Sequence, residues 1–444
     1  MSKNKIIFLI LWFFVLLFLI FIFLTLNSNK VKNKDSSVKD AFTIWIYQDD
    51  SVKFWDFLKD FQEKNTQYKE KNFNIVSFND YEDYFNTLVW AFLNWKWPDM
   101  FVLNNWDSKF FDNQISWIES SVVDTSTFRN NYEVVFSNEL IETRDIDWKS
   151  VEYLRWVPLW YEILWMFYNF RELKWKNLKT WWYINDAIKE LSSIKTPVIW
   201  LWNGSTVYDI ADIITQFFVQ DWFKNLNDLT INNAKNPLWR YFLFWDSKFD
   251  NKYDNSFQQL VSTSKNNLDM FSSWELEMVI WYPRMLEEIN KRWYGKSFLR
   301  ATTFPSYSED KSSMLVNYNY FVVSKNTTNY DLSMSLIKYF ASSEWQKKYM
   351  ETFPYYFPSM ISLLKDRLEE NISKDYVIKY KDFYNSSFDL VTFDKSNKYI
   401  YDKDIINILD NSTNSQELFE NFRKKVLCIW NKMLWQWDMS ASCK

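Results

Sequence analysis

From residue 41 onward, short apolar runs alternate with segments whose apolar residues recur at helical spacing. Phe42-Thr43-Ile44-Trp45-Ile46-Tyr47 reads as a strand, and Val52, Trp55, Leu58 and Phe61 mark one face of a helix over 51–64. Phe73–Phe78 reads as a second strand. Tyr81, Tyr84, Phe85, Leu88 and Phe92 then define a second amphipathic helix, and 99–104 a third strand. This β-α-β-α-β order predicts a parallel sheet with helices on its faces. Further on, 150–159 and 162–169 read as extended, 180–193 and 205–220 as helical, and 278–280 and 318–323 as short buried strands. A long amphipathic helix is expected over 332–349, and mostly helix over 361–437. No internal repeat or low-complexity linker interrupts the chain, so its soluble part is expected to be one compact, two-lobed α/β body.

The N-terminus differs from the rest. Ile6 to Leu26 is a 21-residue stretch without charge, preceded by Lys3 and Lys5, which is long enough to span a bilayer. No small-residue cleavage pattern follows and no cysteine lies near it for lipid attachment. An uncleaved transmembrane anchor over 1–26 is expected, with a cleaved signal peptide as the alternative. A polar tether (27–40) follows, and the body is expected on the extracytoplasmic side of the cell membrane. Cys428 and Cys443 are the only cysteines. In an exported protein they form either a disulfide, worth about 3 kcal/mol for so small a loop, or two free thiols on a tail.

Composition changes the picture at one place. The 444 residues hold 27 Trp but only 2 Gly, where average usage of roughly 7% predicts about 31 glycines. The tryptophans fall where glycine belongs. Asn94-Trp95-Lys96-Trp97-Pro98-Asp99 follows an amphipathic run, Asp147-Trp148-Lys149 separates two extended segments, and Asp221-Trp222 ends a helical run. The 27 Trp and 2 Gly together come close to the glycine expectation. A gene whose UGA codons mean glycine, translated with UGA as tryptophan, produces such a pattern; a genuinely Trp-rich protein is the alternative. On the first reading, distortion or exposure is expected at Trp95, Trp97, Trp148, Trp160 and Trp293, while Trp117, Trp181 and Trp345 sit in contexts that suit an indole.

Charge and missing residue types exclude several functions. The chain has no His, so imidazole-based acid–base catalysis, Ser–His or Cys–His pairs and His-ligated metals are excluded. Lys+Arg of 52 against Asp+Glu of 56 leaves no field to hold a nucleic acid. No metal cluster is apparent and no cofactor is expected. Glycine read at Trp200 and Trp202 would make the run before Ser205 glycine-rich, but the spacing does not fit a dinucleotide loop. Adjacent acids such as Glu287-Glu288 or Asp49-Asp50 read as solvated faces before they read as a glycosidase pair.

With glycine at positions 95 and 97, the segment from Tyr81 to Asn104 resembles the first lobe of the family-1 extracellular solute-binding proteins, which include maltose-binding protein. Val157-Pro158-Leu159-Trp160-Tyr161-Glu162 with Phe167-Tyr168-Asn169, then Leu178-Lys179-Thr180-Trp181, resemble later parts of that family in order. So do Ser273–Tyr282, Ser342–Lys347 and Pro354–Pro358, although Asn185-Asp186 departs from the family pattern. The collinear set covers about 41–430. It implies a periplasmic-binding-protein-like fold with a ligand cleft between an N-lobe (41–155 and 322–365) and a C-lobe (156–321 and 366–427), followed by a Cys-bounded tail (428–444).

The resemblance also implies a binding protein and no catalysis. It would deliver a carbohydrate or similar polar solute to the permease subunits of an ABC-type importer. Ligands in such sheets lie at the C-terminal ends of strands. Gln48 and Asp49 after the first strand, and Asn104, Asn105 and Asp107 after the third, are therefore candidates to bind hydroxyls. Tyr161 and Glu162 stand where the second lobe is entered, and Tyr282 and Arg284 follow a buried strand; Tyr318 is a weaker candidate. The alternative for each polar residue is a solvated loop or helix cap, and for each tyrosine ordinary core packing. A membrane-anchored glycan hydrolase and a sensory ectodomain on the same fold are the competing functions.

Overall fold

The structure is a computed structural model. It describes residues 41–47, 51–146, 148–173, 199, 201, 204–224, 237–238, 240–241, 265–292, 298–306, 313–372, 378–382, 389–393 and 398–412, with a few single positions besides. The expected membrane anchor and tether, Gln48, Asp49, the helix at 180–193, Trp293 and both cysteines lie outside these residues. Among the described residues no helix is long and apolar enough to cross a membrane.

The opening units form as their periodicity predicts. Strand β1 (Phe42–Tyr47) pairs in parallel with β2 (Phe73–Phe78) and β3 (Met100–Asn104), and helices Ser51–Lys64 and Tyr81–Leu93 make the crossovers. Phe42, Ile44 and Ile46 are buried on one face of β1, and Phe54, Phe57, Leu58 and Phe61 meet the sheet from the first helix. Asp80 caps the second helix by accepting from the Asp83 amide.

Two short strands, β4 (Ile115–Ser116) and β5 (Ile118–Glu119), precede a hairpin of β6 (Ile141–Ile146) and β7 (Lys149–Leu154). Next comes β8 (Val157–Glu162), buried at all six positions, followed after Ile163 and Leu164 by β9 (Trp165–Asn169). β9 lies between β10 (Met278–Trp281) and β11 (Leu299–Thr303) as the centre of a second, antiparallel sheet. The chain returns through β12 (Met314–Leu315) into β13 (Asn317–Ser324), and β14 (Phe357–Pro358) and β15 (Leu390–Val391) follow.

The large sheet runs β14-β8-β13-β3-β1-β2, with β4 also paired to β13. Two strands of this sheet thus lead into or out of the second lobe. By their pairing, β8 and all of β13 belong to the first sheet, so that sheet extends past the expected crossing points at 156 and 321. In the second lobe the helix Ile210–Gln220 is buried on every side. Its Gln216 accepts from the Leu315 amide and donates to the Ser313 carbonyl, and Gln220 donates to the Pro305 carbonyl. Gly204 lies so close to the helix Lys398–Asp410 that a Cβ there would sit 2.6 Å from the Ile406 Cα. The neighbouring Ser205 amide donates to Asp410, so this loop faces an acid, not a phosphate.

One expected element is divided. The helix expected over 332–349 is two helices, Tyr330–Phe340 and Ser343–Thr352. Ser342 takes an extended backbone and its Oγ accepts from the Trp345 amide at 3.3 Å, which starts a new helix in a new direction. Apolar periodicity carries across both helices because both pack on the same core.

Trp95, Trp148, Trp222 and Trp274 all take left-handed backbone conformations, with φ of 57°, 64°, 69° and 66°. Three of them end helices in the same way. Trp95 N–H bonds the Phe92 carbonyl and Lys96 N–H that of Ala91. Trp222 and Phe223 repeat this on Val219 and Phe218, and Trp274 and Glu275 on Phe271 and Met270. That double bond is the Schellman closure, whose left-handed residue is ordinarily glycine. Trp148 turns the β6–β7 hairpin, closed by the pair Ile146↔Lys149, and is fully exposed. Trp97 is half-buried beside Trp95. At Trp160 the expected exposure is corrected, since it is 1% exposed within β8 and its indole donates to the Tyr349 hydroxyl, but the ladder is locally distorted there: the pairs Trp160↔Asn319 and Pro158↔Tyr320 leave Leu159 of β8 as the extra, bulged residue. Trp345 packs in a helix interior against Phe340 and Tyr349, and Trp117 lies under the Arg144 guanidinium, as suits an indole.

Candidate functional site

The C-terminal ends of β3 and β8 and the start of β13 converge where the chain passes between lobes. Asn104, the last residue of β3, donates from Nδ2 to Asn317 (2.5 Å) and Asn319 (3.0 Å) on β13. Its Oδ1 accepts from the Trp106 amide. Asn105 exchanges bonds with the Tyr318 backbone, N–H to carbonyl at 3.0 Å and Oδ1 from amide at 3.2 Å. Asp107 is buried and accepts from the Tyr81 hydroxyl. Burial, reinforced by Asp107, keeps the Tyr81 phenol protonated.

Opposite Asn317 in the β8–β13 ladder stands Glu162, with no exposure to solvent. Arg284, three residues past β10, hydrogen-bonds Glu162 Oε2 and also Asp209 at 3.0 Å. Among the described residues the second oxygen of Glu162 has no hydrogen-bond partner. Burial raises its pKa to about 7, against the opposing pull of Arg284. Burial alone would lower the Arg284 pKa, but Glu162 and Asp209 outweigh it and hold the guanidinium charged. Asp209 itself sits at φ 51°, a left-handed residue immediately before the helix Ile210–Gln220. Tyr282 donates to buried Asp212 at 2.8 Å, and Tyr161 is stacked on Phe357, so both aromatics lie in the core.

A cavity of about 290 Å³ opens between the lobes, near the lower end of the roughly 300–1,000 Å³ typical of small-molecule pockets. Asn105, Ser108, Glu139, Arg155 and Trp156 line it from the first lobe, and Tyr318 from the crossing strand. Lys224, Thr392 and Phe393 line it from the second lobe. The Tyr318 hydroxyl donates to Glu139 at 2.8 Å. Burial, then the neighbouring Glu139 charge, keeps that phenol protonated. Arg155 is fixed by an ion pair with Asp112 and by its own amide on the Leu140 carbonyl at 2.8 Å. The wall thus offers planar polar groups beside aromatic faces, the combination that recognises hydroxyl-bearing rings.

Of the residues expected at a site, Asn105 and Tyr318 line this cavity, while Glu162 and Arg284 meet each other in the adjoining crossing region. Asn104 and Asp107 sit beside it in hydrogen bonds within the protein. Glu139, Arg155, Trp156, Lys224 and Phe393 were not anticipated. Arg155 and Trp156 carried a local signal, since they directly precede the apolar run that enters the second lobe. Among the described residues no cluster of acids and thiols could hold a metal ion.

Two sheets joined by crossing strands, with a polar and aromatic cavity between them, define the two-lobed binding-protein fold. Structural comparison agrees. The ABC substrate-binding protein Lmo0181 of Listeria monocytogenes, solved with cycloalternan, superposes with a TM-score of 0.63 at 12% identity, covering 88% of this chain and 99% of that one. The sugar-binding protein MalE of Xanthomonas citri gives 0.63 at 12% over 90% and 100%. UgpB of Mycobacterium tuberculosis, in complex with glycerophosphocholine, gives 0.61 at 12% over 89% and 99%. At the level of sequence the chain matches no family model and no curated relative.

Proposed function

We propose that this chain is an extracytoplasmic solute-binding protein, tethered to the membrane by its N-terminal apolar stretch, that delivers a carbohydrate or similar polar solute to the permease subunits of an ABC-type importer. The observation that carries the reading is the interlobe cavity. Asn105, Glu139 and Tyr318 present hydroxyl-binding groups beside the Trp156 and Phe393 rings, in a fold shared with proteins solved as sugar binders. The solved neighbours are binding proteins, which favours binding without turnover. Glu162 and Asp209 are bridged by the same guanidinium, an arrangement that suits a structural tie better than an acid and nucleophile pair. The test is thermal unfolding of the purified protein across a panel of sugars. Stabilisation without product supports the reading, and release of shorter sugars from an oligosaccharide contradicts it.

The same reading takes the tryptophans at left-handed turns to stand for glycine in the native protein. Three Schellman closures and one hairpin with tryptophan at the glycine position support it. Each puts an indole where an L-residue is disfavoured by about 1–2 kcal/mol. Peptide mass spectrometry of protein from its own cell decides the matter: glycine at positions 95, 148, 222 and 274 is expected, and tryptophan there contradicts it.

A further inference from the structure

The chain returns from the second lobe to the first through 313–318, and side-chain amides grip this segment from both sides. In the second lobe Gln216, fully buried, accepts from the Leu315 amide at 2.7 Å and donates to the Ser313 carbonyl at 2.9 Å. In the first, Asn105 Oδ1 accepts from the Tyr318 amide at 3.2 Å, and the Asn105 N–H donates to the Tyr318 carbonyl at 3.0 Å. The changeover falls on Val316. Its N–H donates to the Val391 carbonyl of the second lobe at 2.9 Å, while its own carbonyl accepts from Asn105 Nδ2 at 3.4 Å. The next residue, Asn317, pairs with Glu162, which ends β8 just before the outgoing crossing Ile163-Leu164. A fully buried carboxyl thus stands where both crossings pass, at the joint about which the lobes close on a solute.

The groups facing this carboxyl are unequal in charge. Arg284 and Asp209 reach it from the second lobe, and behind them Tyr282 donates to Asp212. Tyr356, from the segment before β14, acts on Arg284, and β13 faces Glu162 with the neutral Asn317. One guanidinium therefore serves two carboxylates, and Glu162 Oε1 has no hydrogen-bond partner among the described residues. A proton on Glu162 relieves this surplus of negative charge, in keeping with its pKa of about 7 in the closed joint. Parting the lobes lets water in, and a solvated glutamate returns towards 4.5. The closed arrangement then binds a proton that the parted one releases. Its advantage is full below the lower value and is lost as pH rises through the upper one.

We infer that closure of the lobes on a solute takes up a proton at Glu162, so that the joint loosens its grip as pH rises; this rests on the solute-binding reading above. The chain has no His, so no imidazole competes for a proton in that range.

The test is isothermal titration of the detergent-purified full chain with maltose, cellobiose and xylobiose at pH 5.5, 6 and 7.5. Repeating it in buffers of different ionisation enthalpy counts the protons taken up. The parent is expected to bind at least one sugar about tenfold more tightly at pH 5.5 than at 7.5, with uptake of about one proton at pH 6. Glu162→Gln keeps the shape but cannot titrate, and its affinity is expected to stay level across this range with no proton taken up. Asp209→Asn removes the acid that competes for Arg284 and suits the left-handed backbone there, so it is expected to move the fall in affinity to lower pH. A parent that binds a sugar equally at all three pH values overturns the inference and leaves the function standing. So does an E162Q variant that keeps the parent's pH dependence. If the parent unfolds cooperatively yet binds no sugar at any pH, the sugar-binding function itself falls, and this inference with it.

Discussion

Arg284, beyond the last residue of β10, hydrogen-bonds Glu162, the last residue of β8, so the second lobe is tied by charge to the strand that leads into it. The carboxylate end of this tie is fully buried, and its Oε1 lacks a hydrogen-bond partner among the described residues. Burial raises the Glu162 pKa to about 7 from the ordinary 4.5. Native protein thus holds a proton that the unfolded chain releases between those values, and stability falls as pH rises through that window. The slope from this group is at most about 1.4 kcal/mol per pH unit. Chemical denaturation from pH 4.5 to 7.5 reads it, and E162Q is expected to flatten the profile.

Arg284→Met leaves Glu162 buried without its counter-charge. Above pH 7 Glu162 then takes up a proton in place of its counter-charge, so the loss there is expected to exceed that below pH 5 by about 1 kcal/mol. Below pH 5 Glu162 is neutral and the loss is expected to shrink. Urea unfolding at the two pH values separates these cases, and an equal loss at both would contradict the assignment of the raised pKa to Glu162.

The left-handed tryptophans give an opposite expectation for two kinds of indole. W95G, W148G, W222G and W274G each relieve a positive-φ strain of about 1–2 kcal/mol. Being well separated along the fold, their effects are expected to add. W345A instead empties a site between Phe340, Tyr349 and Phe57 and is expected to cost about 3–5 kcal/mol. Thermal melts of the five variants decide it. Destabilisation by the glycine substitutions would show that the indoles contribute packing that outweighs the strain.

The break between the two late helices rests on one hydroxyl. Ser342→Ala removes the acceptor for the Trp345 amide and is expected to cost about 1 kcal/mol. Loss of stability without loss of sugar affinity is the expected result, since Ser342 lies on the N-lobe helices away from the cavity.

The β-α-β-α-β opening was legible because strand and helix periods are local, and Phe42–Asn104 shows each in turn. Turn positions were legible in an unusual way, through tryptophans standing at 95, 148 and 222 in helix-end and hairpin contexts. The division at Ala341-Ser342 was not, because apolar spacing runs unbroken across both helices. The cavity was legible only at Asn105 and, weakly, Tyr318. Glu139, Arg155, Lys224 and Phe393 come from four separate segments, and each alone reads as an ordinary surface or core residue. They meet only when these segments pack together in the folded chain, and such long-range packing leaves no trace in local spacing. Glu162 and Arg284 were each singled out as ligand contacts, but their mutual ion pair depends on how the two lobes meet.

The central claim is that the interlobe cavity binds a polar solute without transforming it. Isothermal titration of the purified chain with a panel of mono- and oligosaccharides, with chromatography of each sugar afterwards, tests it directly. The account predicts saturable binding of at least one sugar, recovered unchanged, and loss of that binding on N105A together with E139A. Hydrolysed sugar, or binding that survives loss of both side chains, would contradict it.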